Sequence, residues 1–217
     1  MLSCLLNVKK DKPLTLLCLG AHSDDIEIGC GGTILKLAED HKDLSIYWVV
    51  FSSNKQRKQE AADSAHAFLS GIKDSTVVIK NFKDGFFPYS GRSLKTCFEE
   101  LKRKVVPDLI FTHYRSDLHQ DHRMISQLAW QTFRDHLIWE YEIPKYDGDV
   151  GNPNVFIHLA EHICDNKIRY ILKYFESQRG NHWFKEETFR SLLRLRGIEA
   201  NATHAEAFYC RKFVCAG

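Results

Sequence analysis

Apolar runs of strand length alternate along the chain with longer stretches in which apolar residues recur every three or four positions. Thr15 to Gly20, Leu44 to Phe51, Ser75 to Ile79 and Asp108 to His113 are nearly continuous in apolar residues, the pattern of strands buried on both faces of a parallel sheet. Between them Gly32 to Glu39, Lys55 to Leu69 and Ser93 to Lys104 have helical spacing and stop near Gly, Pro or a polar turn. A further helix begins at His122 and runs to Phe133. This βαβ alternation predicts an α/β fold: a Rossmann-like, mostly parallel sheet with helices on both faces.

The stretch Tyr141 to Pro153 (YEIPKYDGDVGNP) is rich in Pro, Gly, Asp and Asn and reads as an excursion or hairpin, placed to serve as a substrate flap. After it, Asn154 to Leu159 has strand character, Glu161 to Phe175 and Glu186 to Leu195 have helical character, and Glu206 to Val214 reads as a closing strand. There is no internal repeat, low-complexity tract or long linker, so residues 1–217 are expected to form one domain.

Composition narrows the classes of partner. Thirty Lys and Arg against 28 Asp and Glu leave a net charge of +2, too small a surplus to argue for nucleic acid. The longest clean apolar run, Ile46 to Phe51, is far short of the roughly 20 residues that cross a bilayer, so no membrane span is expected. At the N-terminus a short apolar patch precedes the basic residues, the reverse of a secretory signal, and the expected location is the cytoplasm. The seven Cys are scattered without a CxxC pair and are expected to be reduced, mostly buried thiols.

Two clusters of metal-type ligands follow predicted strands. His22, Asp24 and Asp25 lie in the segment Gly20 to Gly32; Asp117, His119, Asp121 and His122 lie in the segment Thr112 to Arg123. In an open parallel sheet, ligands bind in the crevice beyond the carboxyl ends of the strands, so clusters far apart in sequence can converge there. Three ligands of the His/His/Asp kind with one open position describe a catalytic zinc, and the surplus carboxylates and imidazoles would serve as base, acid and orienting groups. Alternatively, the same residues cap helices and fill polar loops.

The string AHSDDIEIGCGG (Ala21 to Gly32) resembles the AHPDDxExxxGG signature of the PIG-L (LmbE-like) family of zinc-dependent deacetylases, and DLHQDH (Asp117 to His122) resembles its D-x-H-x-D-H motif. KQRKQEA (Lys55 to Ala61), KDGFF (Lys83 to Phe87) and HAEAF (His204 to Phe208) are similar to its R-x-x-E-A, D-G and A-E-A-F segments, so the resemblance extends from about Leu14 to Phe213. Ser23 stands where the family usually has Pro, which frees φ and loosens the loop.

The resemblance implies that His22, Asp25 and His122 are the zinc ligands and that Asp24 is the general base that deprotonates water. It implies that His119, protonated, stabilises the oxyanion and passes a proton to the departing amine, with Asp121 holding that imidazole. Zinc polarises a carbonyl oxygen and acidifies water, so one carboxylate beside it suffices as base. Arg57, Asp84 and Asp117 are expected at the substrate end of the pocket; otherwise Arg57 is a solvated helix charge and Asp84 begins a turn.

The implied activity is removal of an N-acetyl group from a 2-acetamido sugar, free or linked to a nucleotide, glycan or lipid. Rival readings are a metal-dependent phosphoesterase, whose paired metals need more carboxylates, and a zinc-binding module without turnover. The ligand set also accepts Fe(II), Co(II) or Mn(II). Gly29, Gly31 and Gly32 lack GxGxxG spacing and follow acidic residues, which argues against a nicotinamide cofactor. Cys30 is expected to be buried filling, as are Phe86 and Phe87. His113 and His204 stay open, and the Tyr141 to Pro153 excursion permits a contact between copies of the chain.

Overall fold

The structure, a computed structural model, describes residues 12–214. The N-terminal patch, Cys4 and Cys215 lie outside them. The elements run β1 (Leu14–Gly20), α1 (Asp25–Asp40), β2 (Leu44–Val50), α2 (Lys55–Phe68), β3 (Asp74–Ile79), α3 (Gly91–Lys104), β4 (Leu109–His113), α4 (Gln120–Thr132), β5 (Leu137–Tyr141), β6 (Val155–Leu159), α5 (Glu161–Tyr174), α6 (Glu186–Glu199) and β7 (His204–Cys210). All seven strands join one sheet in the order β3-β2-β1-β4-β5-β7-β6. The first five are parallel; β7 runs antiparallel between β5 and β6.

Side chains alternate across β1. Leu14, Leu16 and Cys18 face a core shared with α1, α5 and α6, whereas Leu17 and Leu19 face a second core shared with α3 and α4. Both faces of β1 are dry, which is why its sequence is an unbroken apolar run. The prediction of a mostly parallel sheet covered on both faces holds, and Cys18, Cys30 and Cys164 are buried free thiols.

Three expectations need correction. β3 is an edge strand with Asp74 to Val77 exposed, so its apolar residues are not buried on both faces. β5 was not anticipated: its polar residues Glu140 and Tyr141 interrupt the apolar pattern, yet both are buried because backbone and side-chain partners satisfy them. Helix α1 begins at Asp25, seven residues before the expected start, because its glycines mask helical spacing. Those glycines are needed for close approach: a Cβ on Gly29 would lie 2.1 Å from the Tyr141 ring, and one on Gly32 would lie 2.6 Å from Leu159 and 2.8 Å from Glu206.

The Phe86–Phe87 pair divides. Phe87 is fully buried in the core and Phe86 is exposed. The Glu142 to Pro153 segment is an irregular excursion, but an anchored one: buried Arg196 binds the Glu142 carboxylate at 2.7 Å and the Gly151 carbonyl at 2.9 Å.

Candidate metal centre and active site

Strand order reverses direction at β1, which lies between β2 and β4, so the loops leaving β1 and β4 open a crevice at their carboxyl ends. His22, Asp24 and Asp25 enter it from the β1–α1 junction. His113 ends β4, and Asp117, His119, Asp121 and His122 follow on the loop and first turn of α4. The two sequence clusters therefore converge.

At the centre, His22 Nδ1 lies 3.1 Å from His122 Nε2 and 3.5 Å from Asp25 Oδ2, and His122 Nε2 lies 3.5 Å from Asp25 Oδ1. Ligands about 2.0–2.2 Å from a tetrahedral ion stand roughly 3.4 Å apart, so this donor set fits a divalent metal. His113 is packed against the same centre: its ring stacks on His122 with centroids 3.9 Å apart, and its Nε2 is 3.2 Å from Asp25 Oδ2. Its Nε2 also accepts the Ala21 N–H at 2.9 Å, and the Tyr141 hydroxyl, which donates to the Leu19 carbonyl, lies 3.3 Å away.

Orienting groups surround the centre. Asp117 Oδ2 is 2.9 Å from His122 Nδ1, while its Oδ1 accepts the His119 N–H at 2.8 Å and lies 3.1 Å from Lys145 Nζ. This corrects the expectation for Asp117. It is 3% exposed with both oxygens engaged, so it orients His122 and does not face substrate. Lys145, which also binds Asp149, ties the excursion onto this carboxylate.

Asp121 needs the same kind of correction. Its Oδ2 lies 3.3 Å from His22 Nε2 and accepts the Gly85 N–H at 2.7 Å; its Oδ1 accepts the Phe87 N–H at 3.1 Å. It therefore orients His22 and clamps the Asp84–Phe87 turn, rather than holding the His119 imidazole. His119 instead caps α4, its Nδ1 accepting the Asp121 backbone N–H at 3.2 Å.

Asp24 and Arg57 form the remaining side. Arg57 Nη2 donates to Asp24 Oδ1 at 2.5 Å, and α2 presents it because Asn54 caps that helix at the Arg57 N–H. Asp84 reaches His22 Nε2 at 3.0 Å with its side chain 63% exposed, at the mouth of the crevice. His204 is remote from the centre in sequence contacts and pairs with Glu161 instead.

Electrostatics divide the groups. Burial opposes charge on His22, but Asp121, Asp25 and Asp84 outweigh it and raise its pKa well above the usual range. Burial, with His113 alongside, pushes His122 down to about 3, which keeps its ring neutral. Asp25, despite its burial, is held well below the usual carboxylate range by His122 and His113. Burial raises Asp24, against the pull of Arg57. Burial and neighbouring His22 lower His119, which favours the neutral form of its ring.

The family model described as GlcNAc-PI de-N-acetylase (PIG-L) matches residues 17–133, which contain His22, Asp24, Asp25, Arg57, Asp84, His113, Asp117, His119, Asp121 and His122. The chain belongs to the PIG-L family. Members are deacetylases, and the chain is accordingly an enzyme of the amide-hydrolase class. A curated relative, the uncharacterized deacetylase YaiS of Escherichia coli K12, is 26% identical over 140 residues, covering 60% of this chain and 74% of the relative. Two solved structures share the fold. The N,N'-diacetylchitobiose deacetylase of Pyrococcus horikoshii matches with TM-score 0.69 and 20% identity, covering 91% of this chain and 83% of its own. GalB, the 4-carboxy-2-hydroxymuconate hydratase of Pseudomonas putida, matches with TM-score 0.73 and 17% identity, covering 94% of this chain and 98% of its own.

Sequence reasoning left His113 open and missed Tyr141, Lys145 and Arg196. His113 carried a signal, as a strand-terminal histidine beside a ligand cluster. The others lie outside any ligand-like spacing and act across long sequence separations. No helix among the described residues is long and apolar enough to cross a membrane.

Proposed function

We propose that this chain is a zinc-dependent deacetylase that hydrolyses the acetamido group of a 2-acetamido sugar or sugar conjugate, with His22, Asp25 and His122 holding the metal. The observation that supports this most directly is the convergence of His22 and His122, 3.1 Å apart and each 3.5 Å from a different oxygen of Asp25, beside a separate carboxylate, Asp24, that pairs with Arg57. When bound, zinc supplies a Lewis acid for the amide carbonyl and lowers the pKa of water. The chain's own residues do the rest.

Asp24 accepts a proton from the attacking water, and Arg57 keeps it ionised for that purpose. Its raised pKa suits the return of that proton to the departing amine as the C–N bond breaks, releasing acetate. His119, with Nδ1 committed to the α4 cap, has Nε2 left as its donor for the developing oxyanion. The neutral ring supports a stabilising role and moves the acid role to Asp24. Asp117 and Asp121 orient the two histidine ligands. Arg57 and the exposed Asp84 form the substrate side.

The phosphoesterase alternative calls for a second metal. The further donor group at the mouth of the crevice, Asp84 and Asp121 with His22, is poorly suited, because both Asp121 oxygens already accept backbone N–H groups.

The test is acetate release from a panel of N-acetylated sugars, free, nucleotide-linked, glycan-linked and lipid-linked, using metal-stripped and zinc-restored protein. Release that returns with zinc, and is abolished in Asp24→Asn while zinc affinity is kept, is the expected result. Release undiminished by metal stripping, or an active Asp24→Asn enzyme, sinks the proposal.

A further inference from the structure

Asp25 opens α1, and Gly32 lies two turns further along it. In a regular helix the Ile28 carbonyl accepts the Gly32 N–H and the Gly29 carbonyl accepts that of Thr33. Here two side chains from other elements reach into that stretch. Glu206, on β7, accepts the Gly32 N–H through Oε1 at 2.7 Å and the Thr33 N–H through Oε2 at 2.6 Å. Lys167, on α5, donates to the Ile28 carbonyl at 2.7 Å and to Glu206 Oε1 at 2.6 Å.

Both residues are 3% exposed, so the pair is withheld from water and every bond it makes is internal. A carboxylate that receives two consecutive backbone N–H groups is the arrangement that caps the beginning of a helix. Glu206 thus gives Gly32 the surroundings of a helix start, in the middle of α1. The lysine meanwhile satisfies a carbonyl that would otherwise belong to the ladder. Gly32 has to be glycine for this, since a Cβ there would lie 2.8 Å from Glu206 Oε1.

We propose that Glu206 and Lys167 are positioning residues that pin α1 at Gly32 and so set where its N-cap, Asp24, faces Arg57 and where its first residue, Asp25, meets His22 and His122. Neither residue touches the reacting atoms. They act by tying the N-terminal half of α1 to α5 and β7 at Ile28, Gly32 and Thr33. The inference rests on the metal-site reading above, but its structural half is testable without metal.

The variant is Glu206→Gln, which places an amide NH2 against a backbone N–H donor. In the metal-free protein, amide hydrogen exchange should quicken at least tenfold within Asp25–Gly31 and stay unchanged over Leu35–Asp40. Zinc affinity, measured by competition with a chromophoric chelator, should fall at least tenfold. Phe98→Leu, in the core on the other face of the sheet, controls for general destabilisation and should leave zinc affinity as in the parent. Exchange that quickens uniformly along α1, or zinc affinity equal to the parent, overturns the proposal.

Should Glu206→Gln fail to fold, Lys167→Met keeps both Glu206 bonds to the helix and removes the lysine's bonds to the Ile28 carbonyl and to Glu206 Oε1. It should weaken zinc several-fold with the same exchange pattern, and no change in either overturns the idea. A parent protein that binds no zinc would refute the metal-site reading alone; the exchange comparison would still decide this one.

Discussion

Replacing Arg57 with Gln removes the one cation that touches Asp24, and the consequence can be worked from the geometry. The pair is separated by 2.5 Å, with side chains 18% and 6% exposed, so water screens it little. Unit charges about 4 Å apart at an effective dielectric of about 20 attract by about 4 kcal/mol, an upper figure for this partly buried pair. An arginine beside an aspartate typically lowers its pKa by about 1–3 units. Burial already raises Asp24, and Arg57 is the main influence pulling the other way. Its loss should therefore move the pKa of Asp24 upward by about 1–3 units.

As a base Asp24 must be ionised, so activity is lost as pH falls through its pKa. The acid limb of the kcat/KM profile, which reports the free enzyme, should shift toward alkaline pH by that amount in Arg57→Gln and by much less in Arg57→Lys. The assay is acetate release across pH 5 to 9, on whichever sugar of the panel is turned over. A profile lowered uniformly, with its acid limb unmoved, would mean that Arg57 acts on substrate alone and that the reasoning about Asp24 is wrong.

Two further outcomes concern stability. Gly29→Ala should lower the melting temperature even though alanine favours helix by about 1 kcal/mol, because its Cβ meets the Tyr141 ring at 2.1 Å and overpacking costs about 1–3 kcal/mol or more; a melting temperature at or above the parent's would show that the ring moves freely. Glu27 is fully buried with neither carboxylate oxygen hydrogen-bonded among the described residues, and burial raises its pKa well above the usual range. A raised folded pKa gives stability that is complete below the unfolded pKa and lost as pH rises through the folded one, at about 1.4 kcal/mol per unit. In the metal-free protein, Glu27→Gln should therefore gain on the parent in urea denaturation as pH rises from 5 to 9, and a constant difference would contradict the assignment.

What could be read from the sequence was whatever depends on neighbours along the chain. β1 and β4 announced themselves because both of their faces are dry, and His22, Asp25 and His122 because ligands on a tight turn cluster in sequence. α1 was read short because Gly29, Gly31 and Gly32 lack helical signal; they are there for Tyr141, Phe68 and Glu206, contacts that no local pattern contains. β5 was passed over because a buried Glu140 reads as polar until its partners, the Arg115 N–H and the Trp130 indole, are in view. Spacing brought Asp117 and Asp121 to the site but could not say which oxygen meets which donor. Both carboxylates prove to pair with a buried histidine ring, Asp117 with His122 and Asp121 with His22.

The fold alone does not select the chemistry, since a chitobiose deacetylase and a hydratase superpose on this chain about equally well. What separates one use of the crevice from another is its charge. Five carboxylates, those of Asp24, Asp25, Asp84, Asp117 and Asp121, face two permanent cations, Arg57 and Lys145, and Lys145 is shared with Asp149. Such a surplus of buried negative charge is costly unless a cation joins it. In the metal-free protein a proton fills that role: Asp121, Asp25 and Asp84 raise His22, whereas burial and His113 lower His122 despite its contacts with Asp25 and Asp117. A dication held by His22 Nδ1, His122 Nε2 and Asp25 would take the proton's place, since the two ring nitrogens already stand 3.1 Å apart and each lies 3.5 Å from an Asp25 oxygen. The residues that fix this spacing, Asp117 on His122 and Asp121 on His22, are held by backbone N–H groups of their own. The centre is thus built from the backbone outward, and its acidity favours a bound cation.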